Sequence, residues 1–155
     1  MANGMASIEE LIQQLEQSGK DVFWQGPASE ASIYELEELI GTRLPASLKN
    51  FLASHGGGGV VGEEVSGIEN DNPILEYRGT IYGDTLLCRE SYGLPANLIV
   101  IYLGGDDVVW CLDIDSFDGD DCSVVSFNVS NKVVAKLASG FSEFLEEYLS
   151  IRIAR

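Results

Sequence analysis

The sequence predicts an α+β fold, with N-terminal helices packed on a mainly antiparallel β-sheet and a closing C-terminal helix. Three observations carry this. Apolar residues recur at helical spacing three times before His55, β-prone runs follow Pro95, and helical spacing returns from Phe141 to Leu149. The 155 residues suit one domain spanning 1–155, because domains commonly run to roughly 100–200 residues. Neither an internal repeat nor a long linker interrupts them.

The elements follow in order. Ser7-Ile8-Glu9-Glu10 reads as a capping box, and Ile8, Leu11, Ile12 and Leu15 then fall at i, i+3, i+4, i+7. This first helix should end near Ser18-Gly19. Phe23-Trp24 precede a break at Gly26-Pro27. Ser29 or Ser32 caps a second helix with Ile33, Leu36, Leu39 and Ile40 as its apolar stripe and Gly41 as its stop. Leu44-Pro45 opens a third, with proline expected at the first helical position, where its missing amide has no partner to lose. Leu48, Phe51 and Leu52 form its buried face. The glycines Gly56 to Gly59 are expected to make a flexible joint into two β-prone stretches, Val60-Val61-Gly62 and Val65 to Ile68.

Asn70 to Gly93 is the least patterned stretch. Thr85 to Tyr92 predicts a short helix, and Gly79 and Gly83 argue against a longer one. Three strands are expected at Leu98–Leu103, Val108–Ile114 and Ser123–Val129, joined by the turns at 104–107 and 115–121. Val125, Phe127 and Val129 should be buried, with Val124, Ser126 and Asn128 on a wet face. Ser139 precedes the last helix, whose stripe is Phe141, Phe144, Leu145, Tyr148 and Leu149. Arg152 and Arg155 stand near its negative end.

A 45% hydrophobic share is ample for a real core, so the acidity is not that of a disordered tail. The formal net charge is −16, from 25 acidic and 9 cationic residues. Between Lys49 and Lys132 only Arg78 and Arg89 are cationic, and seven aspartates lie in the sixteen residues from Asp106 to Asp121. Such a field repels nucleic acid and anionic membrane and attracts a basic protein surface or a cation. It points to a binding module with a cationic partner and away from an enzyme. Cys88, Cys111 and Cys122 form no closely spaced pair and would leave one over if two bonded, so reduced thiols in a cytosolic protein are expected. Met1 to Ser7 lack a basic region followed by an apolar run, so no signal peptide is expected. The longest apolar run, Leu98–Leu103, is far short of the ~20 residues of a membrane helix. A soluble, cytoplasmic protein is expected.

Several motifs fail on physical grounds. Gly57-Gly58-Gly59-Val60-Val61-Gly62 spells a dinucleotide loop, but that loop needs a strand before it and a helix after, and here the order is reversed. A calcium loop started at Asp113 puts Phe117 fifth and Asp118 sixth; placing Gly119 sixth puts Ile114 first and Val125 last. Neither register coordinates, leaving solvated hairpin turns or a looser cation site. His55, the sole histidine, ends a helix and suits its dipole; no nucleophile pattern accompanies it. Scattered Cys and one His offer no zinc pair. No catalytic residue, metal site or cofactor is therefore assigned. Trp110 reads as core, and Trp24 as either core or an exposed anchor.

The stretch Ile33 to Gly57 contains Glu37 to Gly41, Leu44-Pro45, Phe51-Leu52 and Gly56-Gly57. It resembles the opening signature of the SUKH superfamily, in its Smi/Knr-like branch. That pattern is a helix ending E-x-x-hydrophobic-G, then L-P, then a helix with F-L and a terminal N-G-G. His55 stands where the pattern has Asn. Gly93-Leu94-Pro95 with Leu98 to Ile101 resembles the strand-entry segment, Gly104 to Asp113 the next hairpin, and Phe141 with Phe144-Leu145 the C-terminal helix. The resemblance runs from about residue 27 to 149 and rests on order and spacing. It implies an α+β domain, without catalysis of its own, that mostly serves as an immunity protein. Such a protein neutralises a cognate polymorphic toxin, often a nuclease or deaminase delivered by contact-dependent or type VI secretion. A minority of relatives are linked to cell-wall regulation and signalling.

A nuclease presents a cationic groove, so an anionic inhibitor would be steered to it. The expected docking face is an acidic ridge of Asp106, Asp107, Asp115, Asp118, Asp120 and Asp121, with Glu63, Glu64, Glu69 and Asp71 as a second patch. It would either plug the active site or block substrate from beside it. The alternative for each carboxylate is a solvated loop position.

Overall fold

Helix α1 (Gly4–Glu16) lies along the C-terminal helix α5 (Phe141–Ala154) in the computed structural model, which describes residues 4–104 and 106–155. Ile8, Ile12 and Leu15 of α1 meet Leu145, Tyr148 and Leu149 of α5 in one buried cluster. Because α1 begins at Gly4, Ser7 falls inside it and is not its cap, which corrects the expected capping box. Helix α2 (Glu30–Ile40) is capped by Ser29, whose hydroxyl accepts from Ser32 N, and stops at left-handed Gly41. Helix α3 (Ala46–His55) has Pro45 one residue earlier than expected, as its extended N-cap.

The expected flexible glycine joint is a packed element. Phe23-Trp24 belong to strand β1 (Val22–Trp24), which pairs antiparallel with β2 (Gly58–Val60) in a two-stranded ribbon. Gly56 to Gly59 are buried with φ between 75 and 142, where side chains other than glycine strain the backbone. A Cβ on Gly58 would strike Phe23 O, and one on Gly59 would strike the Tyr148 hydroxyl. The glycines are there for close approach.

Helix α4 (Ile81–Tyr92) starts four residues before the expected Thr85, capped by Thr80 accepting from Gly83 N. Gly83, read as a weakness, sits in the first turn, where a Cβ would press into Tyr77 O. The larger sheet is the antiparallel meander β3 (Leu98–Leu103), β4 (Val108–Asp113), β5 (Val124–Asn128) and β6 (Val134–Ala138). The first three match the expected strands. β6 was not foreseen, because four of its five residues are exposed and leave no apolar periodicity.

Both faces of this sheet are covered. Ile99, Leu112 and Val124 join the helical core of α1, α2, α3 and α5, while Leu98, Val100, Val109, Cys111, Val125 and Phe127 pack with Cys88 of α4. Val125 and Phe127 are buried as expected; Val124, expected wet, is fully buried on the other side. The segment Val65–Ile68 bridges the two sheets: Val65 pairs with Gly58, and Ser66 N donates to Ile101 O at 2.8 Å. Among the described residues, no helix is long and apolar enough to cross a membrane.

Candidate functional site

The meander separates the carboxylates expected to form one ridge. Asp106 and Asp107 lie in the β3–β4 turn, whose Gly105 is outside the described residues, while Asp115, Asp118, Asp120 and Asp121 lie in the β4–β5 connection. An antiparallel strand puts these at its opposite ends, roughly 17 Å apart for a strand of this length. The expected ridge is two clusters.

The β4–β5 cluster is largely engaged by the fold. Asp121 Oδ1 accepts from Phe141 N (2.9 Å) and Cys122 N (2.8 Å), and its Oδ2 accepts from Ser47 Oγ at 3.2 Å. It thus caps α5 from a distant loop, and Gly140 is needed there because a Cβ would lie 2.6 Å from Asp121 Oδ2. Asp120 O accepts from Ala46 N at the start of α3. Asp118 Oδ1 accepts from Asp120 N and Asp121 N, both at 2.9 Å, and backbone donors at Asp121 and Asp120 hold its pKa below the ordinary value. Two helix N-termini, each with a positive dipole end, meet this aspartate-rich connection. Asp115 and Asp120 keep exposed side chains.

At the other end of β4 the acidic side chains gather around Tyr102. Burial raises the Tyr102 phenol above its ordinary pKa; Glu63, Asp106 and Glu64 push it further up, against Arg152. Asp106 of the expected ridge and Glu63 and Glu64 of the expected second patch thus share the surroundings of Tyr102. Glu63 among them is neutralised: Arg152 Nε lies 2.8 Å and Arg155 Nη2 2.7 Å from its Oε1. Burial opposes Glu63 ionisation, but the bond from Arg155 and the charges of both arginines outweigh it, so its pKa is lowered. Asp71 is also engaged, accepting from Ser29 N at 2.7 Å beside the start of α2. Glu64, Glu69 and Asp106 on this face, and exposed Asp107 in the adjoining turn, have no cationic partner among the described residues.

Beside them opens a cleft of about 250 Å³, between the β1–β2 ribbon, the end of β3 and the loop before α4. Its acidic lining is Glu64, Glu69 and Asp84; Phe23 and Tyr102 supply aromatic walls, and Arg78 is its one cation among the described residues. Asp84 is only 1% exposed. Its carboxylate accepts from Ser66 Oγ (2.6 Å) and from Gly79 N (3.1 and 3.2 Å), with Arg78 Nε 3.7 Å away. Burial raises the Asp84 pKa, moderated by Ser66, Gly79 and Arg78. Gln25, also lining the cleft, donates from Nε2 to Gly79 O at 2.7 Å, and its buried Oε1 has no donor among the described residues. Among the described residues, no three His, Cys, Asp or Glu side chains are grouped to hold a metal.

A family model described as SUKH_5, SMI1-KNR4 cell-wall, matches residues 8–150. The chain belongs to the SMI1-KNR4 family. A crystal structure of a protein from Pseudomonas syringae pv. tomato shares the fold, with a TM-score of 0.57 at 22% identity over 78% of this chain and 83% of that one. In this SMI1-KNR4 member, Gln25, Arg78, Asp84 and Tyr102 were not singled out from sequence. Asp84 stands in the first turn of α4, a common place for a carboxylate, and Gln25 follows a three-residue strand. His55 closes α3 with its ring 4.9 Å from Trp24 and its Nε2 3.5 Å from Glu9 Oε1. Trp24 is half-buried, donating to Glu16 at 2.9 Å, and Trp110 is half-buried against Tyr102 and Phe144.

Proposed function

We propose that this chain is an immunity protein that binds and neutralises a cognate toxin of a bacterial polymorphic toxin system. The toxin is of nuclease type or another effector acting in the cytoplasm, delivered for instance by type VI secretion. The protein works by binding, without turnover, in the cytoplasm. The observation that carries the reading is the face around the cleft with its adjoining turn, where Glu64, Glu69, Asp106 and Asp107 have no cationic partner among the described residues of a chain of net charge −16. Exposed Phe23 on the adjoining ribbon and Val61 just past its second strand add apolar contact area.

A basic partner is drawn to such a face at long range, which raises its association rate, and short-range contacts then hold it. Once seated, the inhibitor either fills the toxin's phosphate groove or blocks substrate from beside it. Co-expression with the toxic domain of a neighbouring reading frame tests this. Protected cells and a stable complex support it; continued killing with no complex at micromolar concentration retires it. A second reading, a regulatory scaffold in cell-wall or signalling machinery, is favoured by the family's cell-wall description. It predicts an isolated locus and a partner from that machinery in pull-downs from the producing cell.

A further inference from the structure

We propose that the cleft lined by Gln25, Glu64, Glu69 and Asp84 is a socket for a guanidinium side chain presented by the binding partner. The source of that side chain rests on the binding role above; the recognition chemistry rests on the cleft itself. The first observation is an unmet acceptor. Gln25 is 8% exposed, and its Nε2 is held by Gly79 O at 2.7 Å. Flipping the amide would set two carbonyl oxygens against each other, so Oε1 is left facing no donor among the described residues. A buried acceptor without a donor is destabilising, and an entering N–H relieves it.

The second observation is a prebuilt anion. The Asp84 carboxylate is held by Ser66 and Gly79, and its Oδ1 keeps unfilled capacity toward Arg78 at 3.7 Å. Arg78 is a loose tenant, with its side chain 64% exposed, and a solvated pair at that distance is weak and readily displaced. Its presence shows that the cleft tolerates a guanidinium.

Size and shape select the ligand. A volume of about 250 Å³ is below the roughly 300–1,000 Å³ of drug-sized ligand sites and suits a single side chain. Four acceptor side chains, Gln25, Asp84, Glu64 and Glu69, line the cleft, a number that suits the five donors of a guanidinium better than the point charge of an ammonium. Phe23 and Tyr102 give the cleft aromatic surface against which a planar cation can pack, although one Tyr102 face is already stacked on Trp110 with centroids 4.4 Å apart. With Asp84 already held, little reorganisation opposes binding.

The test is a titration of the ¹⁵N-labelled full chain with Nα-acetyl-arginine amide, followed by amide shifts, with the lysine and glutamine analogues as comparisons. Saturating shifts at Gly62, Ser66, Gly79 and the Gln25 side-chain amide, stronger for arginine than for lysine and absent for glutamine, are expected. Glu64→Gln with Glu69→Gln should weaken binding by about fivefold or more, and Arg78→Ala should strengthen it by about two- to fivefold. These exposed or half-buried changes leave the core alone, so the test survives if Asp84→Asn fails to fold. Equal response to lysine and arginine, or shifts spread equally over Asp115–Asp121, overturns the socket. A silent cleft with cells still protected by co-expression removes the socket alone. A saturating cleft with no protection keeps the socket and removes the immunity role.

Discussion

The two ends of strand β4 carry the same residue type and do opposite things with it. At the β4–β5 end, Asp121 and Asp118 are met by backbone N–H groups, including the start of α5, and their charge holds the chain in place. At the β3–β4 end, Asp106 accepts from Val108 N in its own turn and from no other donor among the described residues, while Glu64 and Glu69 line an open cleft. Carboxylate density alone therefore does not mark an interface. What separates the ends is whether orphan helix donors stand within reach.

The largest effect expected is on association. Neutralising Glu64, Glu69, Asp106 and Asp107 together should slow toxin capture by about tenfold at low salt and flatten its salt dependence. Neutralising Asp115 and Asp120 should change the rate by less than about twofold. Stopped-flow mixing at several ionic strengths decides; equal slowing from both sets would erase the contrast.

Next comes stability. Asp121→Ala removes the acceptor for Phe141 N, Cys122 N and Ser47 Oγ, and should lower unfolding free energy by about 1–3 kcal/mol in urea titration. Asp107→Ala, at the other end, should stay within about 0.5 kcal/mol.

The third effect depends on pH. Burial raises the folded-state pKa of Asp84 above its ordinary 3.8, so between those values the folded chain holds a proton that the unfolded chain has lost. The Asp84 contribution to stability is therefore fully present below pH 3.8 and declines as pH rises through the raised value. Glu63, lowered by its arginines, runs the other way: its contribution is present above its ordinary 4.5 and is lost on acidification through the lowered value. Subtracting the stability-against-pH curve of Asp84→Asn from that of the wild type should leave a falling difference. A rising one would mean that Arg78 outweighs burial.

The smallest effect is a reporter. All three cysteines are buried and free, and burial pushes Cys88 up to about 11 and Cys122 up to about 12. A disulfide thiol reagent at neutral pH should find none of them until the chain opens. Since Cys122 follows the Asp121 cap, Asp121→Ala should speed its labelling several-fold while Cys88 stays protected.

How much could be read in advance differs by element. The stripes of α2, α3 and α5 and the runs of β3, β4 and β5 were legible because burial on one face, or on both, leaves an apolar pattern. β6 has only Ala138 buried and left no such mark. Gly56 to Gly59 were legible as glycines but not for their purpose, since what each excludes is a distant atom such as Phe23 O or the Tyr148 hydroxyl. The candidate site fared likewise. Glu64, Glu69, Asp106 and Asp107 were named from charge, whereas the meaning of Gln25 depends on Gly79, far along the chain, and that of Asp84 on Ser66 from a separate segment as well as on nearby Gly79.

From the sequence alone came the α+β class, the family resemblance and the negative field, because periodicity, local signature and net charge are properties of the chain read in order. Tertiary structure alone decided which acidic residues face solvent together, which are occupied by helix ends, and that a buried carboxylate and an unmet amide oxygen line one cleft. Those are distances between residues far apart in the chain, and only folding assigns them.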